Sequence, residues 1–153
     1  TDKSSGILFA HGSRFGGHSL FIKNNKLYYV YNFLGISPEQ IFESSITLTP
    51  GAHTLGMEFT REKTGDKGES VGVTKLYIDD KLVAEGPMRT QPAKFTLSGD
   101  GLCIGYDSAD AVSEHYPSPS RFNNGTIDFV GVTVEGTPYV NLEAEAKRAL
   151  MGH

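Results

Sequence analysis

The chain has 153 residues, enough for one domain, and a domain of this size buries roughly 68–70% of the surface its unfolded form exposes. Its 38% hydrophobic and 21% charged residues are those of an ordinary globule, and the formal net charge of -4 provides no basic field to attract nucleic acid or an anionic membrane. Cys103 is the single cysteine, which excludes an intramolecular disulfide and a centre built from several thiolates, and no apolar run reaches the roughly 18 residues of a membrane span.

Hydrophobic residues alternate with period two from the start of the chain to about Glu135, which predicts β-strands. The first two are short apolar runs at 7–10 and 20–22. The third, Lys26 to Phe33, places Leu27, Tyr29, Tyr31 and Phe33 on one face. A strand over 41–48 follows. The clearest alternation runs from His53 to Glu62, where Leu55, Met57 and Phe59 should point between two sheets. Glu62 to Ser70, with Gly65 and Gly68, is polar and predicts an exposed hairpin tip. Further strands are expected at 73–78, 81–85, 94–98, 101–105 and 126–134. In the last, Ile127 and Phe129 have one parity and Val130, Val132 and Val134 the other, so a bulge is expected to shift the phase.

Turn chemistry separates these runs. Lys23-Asn24-Asn25-Lys26 and Ile78-Asp79-Asp80-Lys81 predict two-residue hairpins, because Asn and Asp tolerate the positive φ that primed turns demand. Ser98-Gly99-Asp100-Gly101 predicts a third. About ten short strands without an intervening helix imply a sandwich or barrel. The pattern changes at Asn141, which can cap a short C-terminal helix with Glu143 and Glu145 in its first turn, Lys147 and Arg148 in its last, and Gly152 beyond it. Residues 1–140 are therefore expected to form the β-sandwich, and 141–153 a helix and tail of the same domain. The opening Thr1-Asp2-Lys3 suggests a portion of a longer polypeptide.

Several segments, taken in order, carry a resemblance: Ala10-His11-Gly12-Ser13-Arg14-Phe15-Gly16-Gly17, Tyr29-Val30-Tyr31-Asn32-Phe33, Leu76-Tyr77-Ile78-Asp79-Asp80-Lys81-Leu82-Val83, and Gly105-Tyr106-Asp107 through Pro117. Phe122-Asn123-Asn124-Gly125-Thr126-Ile127 and Glu143-Ala144-Glu145-Ala146-Lys147-Arg148-Ala149 extend it over nearly the whole chain. This ordered set resembles the C-terminal domain of the large bacterial arylsulfatases. The resemblance implies a concanavalin-like or laminin-G-like jelly-roll sandwich of two antiparallel sheets, joined to a sulfatase catalytic domain or a neighbouring subunit, in a bacterial cytoplasm or periplasm. The family's formylglycine arises from Cys or Ser in a Cys/Ser-x-Pro-x-Arg motif. Here Cys103 is followed by Ile104-Gly105-Tyr106, so no catalytic residue of the family carries over.

Three groups of residues are candidates for binding. Gly12 to Gly17 could cradle an anion with backbone N–H groups and the Arg14 guanidinium, facing a sulfatase core or its sulfated substrate. Alternatively it is a glycine-rich strand connection in which Arg14 pairs with a neighbour. Asp107, Asp110 and Glu114 fall within one short polar loop and offer oxygen ligands suited to calcium, or else form a solvated acidic loop. Tyr29 and Tyr31 would stack on a glycan if their face is open, and are core if it is closed. His11 and His18 flank the glycine-rich turn without a recognised metal spacing.

Independent catalysis finds no support. Retaining jelly-roll glycosidases need two carboxylates about 5–5.5 Å apart, whereas Glu58 and Glu62 on one strand would lie roughly 13 Å apart at the usual rise. There is no Gly-x-Ser-x-Gly elbow. The expectation is a non-catalytic accessory domain of an arylsulfatase, acting in packing, assembly or substrate access, with a carbohydrate-binding module as the alternative.

Overall fold

The computed structural model describes residues 3–92, 100–108 and 110–135. Their regular structure is entirely antiparallel β. In chain order the strands are β1 (Gly6–Ser13), β2 (Gly16–Lys23), β3 (Lys26–Asn32), β4 (Gln40–Glu43), β5 (Leu55–Thr64), β6 (Ser70–Ile78), β7 (Lys81–Thr90), β8 (Asp100–Ile104), β9 (Tyr106–Asp107) and β10 (Ser120–Arg121). They form a five-stranded sheet in the order β4-β3-β2-β1-β8, a three-stranded sheet in the order β5-β6-β7, and a two-stranded ribbon of β9 and β10.

The hairpins follow the turn residues. Asn24 and Asn25 have φ of 51° and 60°, and Asp79 and Asp80 of 50° and 64°, so both two-residue turns have positive φ at each central position. Asp79 adds a tie: its carboxylate accepts from Thr54 N at 2.8 Å and pairs with His53 Nδ1 at 2.6 Å, holding the start of β5 against the β6–β7 turn.

The two larger sheets pack face to face. Leu20, Ile22, Leu27, Tyr29 and Tyr31 from one meet Leu76, Ile78, Val83 and Met88 from the other in a single buried cluster. Strand parity explains the membership, because β3 sends Leu27, Tyr29 and Tyr31 inward while Val30 goes to the opposite face. That opposite face is covered as well. Ile7, Ala10, Phe21 and Val30 form a second cluster with Val112, against which Tyr28 and Tyr116 pack. In β1 the phase changes at a bulge between Ile7 and Phe9, so Ile7 and Ala10 join the outer cluster while Leu8 and Phe9 pack on the inner one. Cys103 is free and buried.

Several expectations are corrected. β4 stops at Glu43, because the Ser44 hydroxyl turns the chain by donating to Ile46 O while accepting from Leu27 N. β7 runs to Thr90, well past 85. Leu55, Met57 and Phe59 do pack on the inner cluster, but as part of the edge strand β5 they are only half-buried. The strand expected at 126–134 is not formed: Phe129, Val132 and Val134 are 85%, 72% and 90% exposed, with no ladder partner. The strand expected at 94–98, part of the Ser98–Gly101 turn and the C-terminal helix lie outside the described residues.

Candidate functional site

Three of the six candidate residues meet at one end of the five-stranded sheet. The β1–β2 hairpin turns through Arg14 and Phe15, with the Ser13 hydroxyl accepting from Phe15 N at 3.2 Å. Beside it the segment after β9 folds back over the outer face of the sheet. Close approach is possible because of Gly17: a Cβ there would lie 2.4 Å from His11 O and 3.0 Å from Val112 Cγ2.

Asn32 connects the pieces. Its amide donates to Arg14 O at 2.9 Å and to Val112 O at 2.8 Å, and its oxygen accepts from Gly35 N at 2.9 Å. One buried side chain thus joins the hairpin turn, the loop after β3 and the covering segment. Glu39 provides a second anchor, accepting from the Ser113 hydroxyl at 2.7 Å and from Glu114 N at 3.1 Å, with His115 Nε2 3.6 Å away.

Between these anchors lies an open cleft of about 230 Å³, lined by Arg14, Asn32, Ile36, Glu39, Val112 and Glu114 among others. Arg14 pairs with Asp110 at 3.3 Å, yet its side chain remains 71% exposed. Its guanidinium also lies 4.9 Å from the Phe15 ring centroid. Ile36 in the lining is 51% exposed, and Phe15 and Leu34, next in sequence to the lining residues Arg14 and Gly35, are 59% and 37% exposed.

Asp107 has a different environment. It is 3% exposed, and its Oδ2 accepts from Val112 N at 2.9 Å and from the Tyr116 hydroxyl. Burial, and then the bond to Asp107, pushes the Tyr116 hydroxyl above its ordinary range, which keeps it a neutral donor. Tyr116 also packs edge-on against Phe21 at 5.1 Å. Asp107 therefore pins the covering segment. With Asp110 turned to Arg14, the carboxylates of Asp107, Asp110 and Glu114 do not converge, and among the described residues no group of three acidic, histidine or cysteine side chains is placed to hold a metal ion.

Tyr29 and Tyr31 are 1% and 6% exposed, so of the two alternatives their face is the closed one and neither is placed to stack on a glycan. Tyr31 accepts from Gln91 N at 2.9 Å, and the Tyr29 hydroxyl lies 3.0 Å from His18 Nδ1. His18 is held low, to about 4, first by burial and then by the neighbouring His11, so it is a neutral core imidazole at physiological pH.

Asn32 and Glu39 were not singled out by the sequence. Asn32 follows the buried-face residues of β3 and resembles a strand end, and Glu39 is an isolated acid among loop residues. Apart from Gly35 N on Asn32, their partners lie far away in sequence. Comparison with family models, curated proteins and solved structures gives no match to this chain in any of the three.

Proposed function

We propose that this chain is a non-catalytic accessory domain of an arylsulfatase, a concanavalin/laminin-G-like jelly roll that uses the Arg14 cleft to contact a sulfatase catalytic domain or a neighbouring subunit. The observation carrying this reading is the cleft itself: an exposed Arg14 guanidinium paired with Asp110, exposed Ile36 in the lining, and exposed Phe15 and Leu34 next in sequence to the lining residues Arg14 and Gly35. Aromatic and aliphatic anchors beside an Arg are the usual composition of the central part of a protein–protein contact. The cleft also gathers three of the segments that carry the arylsulfatase resemblance: Ala10 to Gly17, Tyr29 to Phe33, and Gly105 to Pro117, which Asn32 and the Arg14–Asp110 pair join. A carbohydrate-binding role has less support, since the tyrosines that would stack on a sugar ring lie in the core.

The first test is activity and binding together. The purified chain should not hydrolyse p-nitrophenyl sulfate, and by calorimetry it should bind an arylsulfatase catalytic core supplied separately. Phe15→Ala and Arg14→Ala should each weaken that binding at least about tenfold, equivalent to roughly 1.4 kcal/mol. Turnover by the chain alone, or binding unchanged in both variants, would overturn the proposal. Binding of wild type, but not Arg14→Ala, to sulfated glycans and to no sulfatase core would assign the cleft to sugar recognition instead.

A further inference from the structure

The three-stranded sheet is two strands narrower than the sheet it packs on. One side of the sandwich is closed: Gln40 on β4 donates to Arg89 O and accepts from Arg89 N on β7, both at 2.8 Å, and Ser45 N donates to Val83 O. With β7 held over β4, strands at the usual spacing of about 4.8 Å carry β6 and β5 toward β3 and β2. Among the described strands none then covers β1 and β8. Consistent with this, Leu8, Phe9 and His11 on the inner face of β1 are only partly buried, as are Leu55, Met57 and Phe59 on the neighbouring edge strand β5.

The segment after β10 begins at this same opening. Phe122 N donates to Gly105 O at 2.8 Å, Asn123 and Ser5 exchange backbone bonds, and the Phe122 ring packs on the inner cluster. Beyond it, 126–134 is rich in apolar residues, is exposed apart from the half-buried Ile127, and belongs to no ladder. It has nine residues by number against ten in β5. A single bulge at Phe129-Val130 would put Ile127, Phe129, Val130, Val132 and Val134 on one face and Asp128, Gly131 and Thr133 on the other.

We propose that 126–134 docks as a fourth strand on the edge of β5 that has no ladder partner among the described residues, with its apolar face over β1 and β8. That edge supplies the backbone partners, and the half-buried Leu55, Met57 and Phe59 supply the apolar surface. The occupant is the chain's own segment rather than a second copy, because the tether from Phe122 keeps it at a high effective concentration beside the opening.

Hydrogen–deuterium exchange on the intact chain tests this. The amides of 127–134 should be protected to an extent comparable with those of β6, in a species that sedimentation velocity shows to be monomeric. Val132→Lys should abolish protection in 127–134 and on the outer edge of β5, leave β1–β4 protected, and lower the melting temperature by at least about 5 °C. Exchange of 127–134 at free-peptide rates in the wild type would overturn the proposal. Protection found only in a dimer would also overturn it and assign the edge to a second copy. If Val132→Lys does not fold, the wild-type exchange and sedimentation data decide alone.

Discussion

At the scale of single residues, burial separates side chains that look alike in sequence. His18 and His53 are both histidines near strands, but His18 is enclosed by Phe9, His11, Tyr29 and Tyr31, whereas His53 pairs with Asp79 at the surface. The first is held down to about 4 by burial, and the second is raised by the Asp79 carboxylate. Their effects on stability are opposite in sign. As pH falls below 6.5 the unfolded chain protonates His18 first, so stability is lost between about 6.5 and 4, by at most about 3 kcal/mol. His53 stabilises below 6.5, and its contribution disappears as pH rises through its raised folded value. An NMR titration should find the His18 ring changing protonation near 4 and the His53 ring above 6.5; similar midpoints for the two would refute the assignment.

At the scale of elements, local chemistry specifies the hairpins, and the neighbouring strands decide the rest. Asn24 has φ of 51° within a two-residue turn. Asn24→Gly should therefore be neutral or slightly stabilising, while Asn24→Val should cost about 1–2 kcal/mol, the penalty of a left-handed backbone carrying a branched side chain. Urea unfolding of the two variants provides the comparison, and equal midpoints would contradict it. The hairpins could be read in the sequence because Asn-Asn and Asp-Asp between alternating runs specify a turn without reference to distant residues. The pairing of 126–134 could not. Its period-two pattern predicts a strand, but the pattern does not say which edge the strand would join, and as described 126–134 belongs to no ladder.

At the scale of the molecule, stability rests on the contact between the two large sheets. Leu76 is fully buried in the inner cluster, whereas Leu82, on the adjacent β7, is 44% exposed. Leu76→Ala should cost about 2–5 kcal/mol through lost burial and the cavity left behind. Leu82→Ala should stay within about 0.5 kcal/mol of wild type. Chemical denaturation giving similar losses for both would mean that the faces of the three-stranded sheet are assigned wrongly. On the other face of the five-stranded sheet the segment from Asp107 to Tyr116 packs over the second cluster and leaves the Arg14 cleft open beside it.

The sequence by itself determined the all-β character, most strand positions up to β8, two turns and which residues of β3 share a face, because period-two alternation and positive-φ turn residues are local properties. It also identified Arg14, Asp107, Asp110 and Glu114 as residues of interest, but not what each contacts. Only the tertiary structure decided that Tyr29 and Tyr31 are core, that Asp107 is a buried pin while Asp110 pairs with Arg14, and that Asn32 and Glu39 hold the cleft together. Alternation shows that a strand has two faces and not which of them is covered. Here both faces of β2 and β3 are buried, one by a second sheet and the other by a segment about 80 residues away in sequence from the Asn32 that anchors it.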